Sequence, residues 1–316
     1  MVSERDLEAA LAAVQASAGG PAEGIFGPHS VTWRIDREAV LFLGAGRALL
    51  LQLAHPWVAA AIADHSRTLL DPIGRFHRTF ELMFTFVFGS RDGALAAARR
   101  LHRRHAMISG VLPEAVGPFA AGSTYNANDV AALRWVHATL VETSAMAYGL
   151  VLPPLSIEER ERYWEENRRF AALFGLQPSD LPADWSGFAD YSAAMAASDT
   201  LTVSPAAREI AGQIFAGVRR WLRPPRWYLA LSVDMLPERL RAGFAFDIDD
   251  RDRRAADRAL RWMRRAYPYL PSRLRYAGPY QEAQARLRGK QQLDLVTRGL
   301  NRAWIGKPQL DDLRQR

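Results

Sequence analysis

Cysteine is absent from the 316-residue chain. Its absence excludes disulfides, thiolate-held iron–sulfur clusters, a cysteine nucleophile and a thiolate axial ligand to iron. Any metal must be held mainly by histidine or oxygen ligands. Lysine is almost missing too, since Lys290 and Lys307 are the only two among 41 basic residues. The net charge of +7 is therefore an arginine charge, and stretches such as Glu158-Glu-Arg-Glu-Arg162 and Asp249-Asp-Arg-Asp-Arg-Arg254 intersperse it with acids. Such stretches read as solvated helix faces, so no nucleic-acid partner is expected. Long apolar runs are lacking as well. The longest, Ala39 to Ala54, is broken by Gly44, Gly46 and Arg47 and is shorter than the roughly 20 residues a bilayer requires. The charged start Met1-Val-Ser-Glu-Arg-Asp6 leads into an alanine-rich amphipathic segment instead of an apolar signal core. A cytoplasmic protein is expected, with peripheral membrane contact left open.

Period-two alternation is nearly absent, and helical periodicity recurs throughout. The expected fold is all-α: a single multi-helix bundle domain over residues 31–316, preceded by an N-terminal helix and arm over 1–30. A long apolar helix starts near Asp36, and Pro56 ends or kinks it. Asp71-Pro72 reads as an N-cap followed by proline, Gly89 stops the same helix, and Phe80 to Phe88 is apolar almost all round, which predicts burial on every side. Further helices are expected over about 92–110, from Val130, over 156–174 and 205–222, and near 226–245, 250–266 and 279–300. A loop over 176–188 joins two of them.

Histidine has the most uneven distribution. All seven lie between His29 and His137, and none occurs in the 179 residues after that. Imidazole is the side chain best suited to hold a metal or haem iron, so the crowding points to one chemical centre in the N-terminal half. His105 sits on an apolar seam with Ala94, Ala98, Leu101 and Ile108, which makes it either a core histidine bonded to a carbonyl or a ligand. His102 lies one turn back, and the guanidinium groups around it, Arg104 among them, suit carboxylates such as haem propionates. His137 lies on a similar seam and competes with His105. Arg75 and Thr79 are one turn apart on a greasy helix and so project toward a polar cavity, unless Asp71 takes the Arg75 charge. His55 and His65 bracket the next short helix, as helix-end histidines or as site residues. No zinc pattern appears, and Glu142 after His137 does not complete one. Gly44-x-Gly46 lacks the strand a dinucleotide fold needs.

Those residues fall in an order that resembles the haem b oxygenase family of latex clearing protein, the bacterial rubber oxygenase, and the MpaB-type oxygenases. The matching pieces are Leu51-Gln-Leu-Ala-His-Pro56, Asp64-His-Ser66, Asp71-Pro-x-x-Arg75-x-x-x-Thr79, His105-Ala-x-x-x-Gly110, and Tyr125-x-Ala-x-Asp129 leading into Trp135-Val-His137. They lie within about residues 25–150. The C-terminal half is similar only in helical character. The resemblance implies that His105 is the proximal ligand of haem b and that Arg75 and Thr79 serve the haem site. The rubber-cleaving members also use a lysine and a glutamate base. Arg78 stands where that lysine would fall, and no equivalent glutamate is identified.

A helical bundle can enclose a flat macrocycle, with one histidine on iron and Arg75, His55 or His65 as donors on the opposite face. The expected function is dioxygen-dependent oxidation or cleavage of a carbon–carbon double bond in a small apolar, isoprenoid-like substrate. Three alternatives stand beside it. They are a haem peroxidase or monooxygenase reaction on a small aromatic metabolite, a haem carrier or gas sensor without turnover, and a helical partner-binding module without cofactor.

Overall fold

The structure, a computed structural model, describes residues 1–65, 72–217, 223–290 and 292–310. It is 70% helical. The first half runs α1 (Glu4–Ser17), α2 (Val31–Asp36), α3 (Phe42–Leu53), α4 (Pro56–His65), α5 (Pro72–Phe88), α6 (Arg91–Ala106), a hairpin of β1 (Ser109–Val111) and β2 (Thr124–Asn126), and α7 (Val130–Val151). The second half continues with α8 (Ile157–Ala172), α9 (Trp185–Ala197), α10 (Pro205–Ala216), α11 (Arg226–Asp234), α12 (Glu238–Phe244), α13 (Asp250–Ala266), α14 (Ser272–Arg275), α15 (Gly278–Leu287) and α16 (Leu295–Ile305). The all-α expectation holds, with one short hairpin added.

Two apolar clusters organise these helices. One is centred where α3 packs on α7 and α11, and the other where α5 packs on α6, α15 and α16. Helix α7 supplies residues to both, Trp135 and Val141 to the first and Leu133 to the second. The N-terminal helix α1 packs on α6 and α8, and the segment after it buries Ile25 and Phe26 in the second cluster.

Several boundaries differ from expectation for identifiable reasons. The apolar helix expected from Asp36 begins at Phe42, because Glu38 leaves the helical path for the C-terminal region. Its buried carboxylate accepts two 2.7 Å bonds from the Arg275 guanidinium and one of 3.0 Å from Tyr267 Oη. Proline 56 does break the chain, with a bend of 98° between residues 39–53 and α4. Helix α5 is not buried on every side. Phe84 to Phe88 are buried, whereas Phe76, Arg78 and Thr79 are exposed, since the N-terminal half of the helix borders a cavity. The helix expected to reach Gly110 ends at Ala106, because residues 109–111 pair with 124–126. Pro237 splits the 226–245 segment, and Gly289, with φ of 69°, lies in the break of the 279–300 segment. Helix α9, capped by Asp184, was expected only as part of a loop and its sequel. The expected Asp71 cap and Ser66 lie outside the described residues.

Candidate functional site

Helices α5 and α6 are joined by two residues. Gly89 N–H closes the last turn of α5 on Thr85 O, and Ser90 caps α6 by accepting from Gly93 N–H. A connection this short folds the second helix back on the first, so residues equally far from the turn come level. Arg75 lies 13 residues before Phe88 and His105 lies 14 after Arg91, each about 20 Å from the turn at 1.5 Å per residue. Local chain geometry alone therefore brings the Arg75 and His105 turns to one height.

They meet at a cavity of about 820 Å³, within the range of roughly 300–1,000 Å³ usual for small-molecule and cofactor sites. Three helices present matched faces to it. Val58, Ala61, Ile62 and His65 come from α4, and Arg75, Arg78, Thr79 and Leu82 from α5. Leu101, Arg104 and His105 come from α6, with Ile108 just beyond its end. Each set follows the i, i+3, i+4, i+7 spacing of one helical face. Leu133 and Val136 of α7 and Phe174 close the apolar wall. The polar residues are His65 at the end of α4 and those on α5, α6 and the β2 end of the hairpin, and the exposed Arg78, Thr79 and Arg104 mark the open side.

Among the described residues that line this cavity, the charged side chains are all arginines. Burial is the main cause that lowers the pKa of Arg75, and the charges of Arg104 and Arg78 add to it. Three guanidiniums close enough to repel one another raise the local potential toward anions. Among the described lining residues there is no carboxylate. The His105 ring is pushed down to about 4, first by burial and then by Arg104 and His102, while a hydrogen bond to the Asn128 side chain opposes the shift. The Asn128 amide nitrogen already donates to His102 O at 3.2 Å. A bond in which the ring donates to the Asn128 oxygen favours the charged form, in keeping with the direction of that effect. Asn128 thus engages the ring, and a neutral imidazole keeps a lone pair on one of its two nitrogens.

The five candidate histidines separate clearly. His105 and His65 line the cavity. His65 Nε2 is committed to Ser109 O at 2.9 Å. His102, expected beside the cofactor, instead donates from Nε2 to Val2 O at 3.1 Å and helps dock the N-terminus. His137 is buried between the Trp164 and Phe170 rings, with Nε2 on Asn167 O at 2.9 Å, and does not line the cavity. Its seam is a core seam. His55 is buried against Trp57 and Phe119 and is likewise absent from the lining. Among the described residues no group of three or more histidine, aspartate or glutamate side chains could hold a bare ion.

Three further motif residues shape the wall. Tyr125 Oη donates to Asp64 at 2.5 Å, which ties β2 to the end of α4. Gly110, paired opposite Tyr125, leaves space for that phenol, since a Cβ there would lie 2.4 Å from Tyr125 Oη. Asp129 caps α7 by accepting from Ala132 N–H. Tyr125→Phe should destabilise the protein by about 1.5–3 kcal/mol, as expected for a hydrogen bond to a charged group. Urea unfolding at neutral pH checks this, and an unchanged midpoint would show that the tie carries no load. Sequence reasoning missed Asn128 as a site residue, although it lies inside the Tyr125–Asp129 motif. Its signal is only that a buried asparagine needs partners.

The described residues thus form a mostly helical protein with a large, mainly apolar cavity that carries three arginines and a buried imidazole. Residues 32–265, well over half of the chain, match the family described as ER-bound oxygenase mpaB/B'/rubber oxygenase, catalytic domain, and the chain belongs to that family. Neither a curated protein nor a solved structure gives a match. Among the described residues no single helix is long and apolar enough to cross a membrane, although the bent pair of residues 39–53 and α4 passes by length and composition together.

Proposed function

We propose that this protein is a haem b-dependent oxygenase that oxidises or cleaves a carbon–carbon double bond of an apolar, isoprenoid-like substrate with dioxygen. The observation that carries the proposal is the convergence of Arg75, Thr79 and His105 on one cavity of about 820 Å³. The family match supports the oxygenase class.

The residues fit the cofactor. His105 offers a ring nitrogen kept neutral by burial, as iron ligation requires, with Asn128 in the position of the outer partner that fixes ring orientation. Arg75, Arg78 and Arg104 offer guanidiniums for the two propionates. When bound, haem iron supplies the activation of dioxygen. The chain supplies the rest. Leu82, Leu101, Leu133 and Val136 exclude water and accept a hydrocarbon chain, while the Thr79 hydroxyl and the arginines are the hydrogen-bond donors on the open side.

The test is dioxygen uptake and product formation by haem-loaded protein on polyprenyl, terpenoid and aromatic alkenes. Uptake matched by carbonyl or epoxide product is the expected result. Full haem loading with no uptake on any of them would overturn the reaction class, and turnover with peroxide alone would replace it by peroxidase chemistry. Asn128→Ala should weaken haem binding by about 10- to 100-fold, the usual effect of removing an outer partner, as measured by haem transfer to a stronger acceptor. Unchanged transfer would remove Asn128 from the site.

A further inference from the structure

A second, smaller cavity lies on another face of α7. Trp135 and Val136 are consecutive in that helix, yet Val136 lines the large cavity and Trp135 the small one. The small cavity measures about 160 Å³. Its wall is built by one face of α9, where Trp185, Phe188 and Ser192 alternate with alanines at 189, 193 and 196. The small residues leave the space that the aromatic rings bound.

Its polar groups are few and fixed. Arg47, 4% exposed, donates to Met235 O, Thr143 Oγ1 and Glu142 Oε2 at 3.0, 2.6 and 2.8 Å. Arg47 thereby holds the Glu142 carboxylate at the cavity wall, where it remains partly exposed. Ser192 is 5% exposed, and its hydroxyl has no hydrogen-bond partner. A buried hydroxyl left unpaired costs free energy that a ligand could recover. Its place in the wall of a cavity makes a ligand the simplest means of doing so.

We infer that this cavity is a binding site for a small ring-sized molecule carrying one hydroxyl, of the phenol class. The size fits a six-membered ring, since an apolar cavity of about 150 Å³ takes benzene. The rings of Trp135, Trp185 and Phe188 supply an aromatic wall, Ser192 and Glu142 can both accept from the ligand hydroxyl, and Ser192 can also donate to it. The site is independent of haem and of the reaction proposed for the large cavity.

Phenol titrated into the full chain as purified, containing fluorine-labelled tryptophan, is the test. Saturable shifts of the Trp135 and Trp185 resonances are expected, with Trp57 in the large cavity unmoved. Ser192→Ala should weaken phenol about fivefold, within the range of one lost hydrogen bond, and leave benzene binding unchanged. Ala193→Phe, which fills the mouth, should abolish both. No saturable shift of Trp135 and Trp185 would overturn the assignment, as would a response confined to Trp57. An equal loss of phenol and benzene in Ser192→Ala would also overturn it. Ser192→Ala removes one oxygen and adds no bulk, so it keeps the test decisive should Ala193→Phe fail to fold.

Discussion

His105→Ala should purify without a Soret band from cells supplied with haem, and its dioxygen uptake should fall to the level of buffer. His137→Ala should keep the band. The prediction rests on what each ring does in the fold. His137 spends Nε2 on a backbone carbonyl inside a ring of aromatics. His105 faces the cavity, with its ring engaged by Asn128. The other cavity imidazole, His65, has Nε2 tied to Ser109 O. A small buried alanine at 105 leaves room for free imidazole, so added imidazole should restore a Soret band to His105→Ala. The reverse pattern, with the band lost in His137→Ala and kept in His105→Ala, would move the ligand to His137. A band unchanged in both variants would end the axial-ligand assignment altogether.

Acidification should unfold the haem-free protein more steeply than its surface charge would suggest. His55, His105 and His137 are each pushed down to about 4, with burial as the largest cause in all three. The unfolded chain takes up protons at these positions near 6.5, so between about pH 6.5 and 4 it binds more protons than the native state. Stability therefore rises with pH in that window and is lost as pH falls. Asp36 works in the opposite direction. Burial first, and then the charge of Glu166, push its carboxyl up to about 7, so the native state gains a proton there that the unfolded chain does not bind above about 4.

Between pH 7 and pH 5 each histidine costs slightly under about 2 kcal/mol, Asp36 offsets slightly more than one histidine does, and the net loss is about 3 kcal/mol. Urea midpoints measured from pH 7 to pH 5 should show a net uptake on unfolding that averages about one proton over the window. Asp36→Asn should raise that uptake by about one, and His137→Phe should lower it by about one. A stability flat across this window would refute the burial assigned to these groups.

The site was partly legible because its spacing is local. Arg75 and Thr79 share a helical face by their separation alone, and the Gly89-Ser90 turn sets the level at which that face meets His105. The Val58 to His65 face of α4 carries the same spacing, although the greasiness of the whole segment hides it. What misled was apolar content read as burial. Phe80 to Phe88 suggested a helix covered on all sides, whereas its N-terminal turns border the cavity. Helix α9 was missed because alanines, a serine and a tryptophan carry weak periodicity, and only the walls of the small cavity give its face a purpose.

The chain by itself determines an all-helical build, a cysteine-free ligand chemistry that leaves histidine and oxygen, and the helical faces on which Arg75, Thr79 and His105 stand. Those properties depend on residue type and on spacings within a few turns. The choice between His105 and His137 is different in kind, because both lie on apolar seams of similar spacing. Which ring faces the cavity is set by the Asn167 carbonyl of α8 at His137 and by the cavity wall at His105. The same holds for His102, whose partner is the backbone of Val2. Hydrogen-bond partners that arrive from elements far away in the chain exist only once the helices have packed, so tertiary structure alone assigns them.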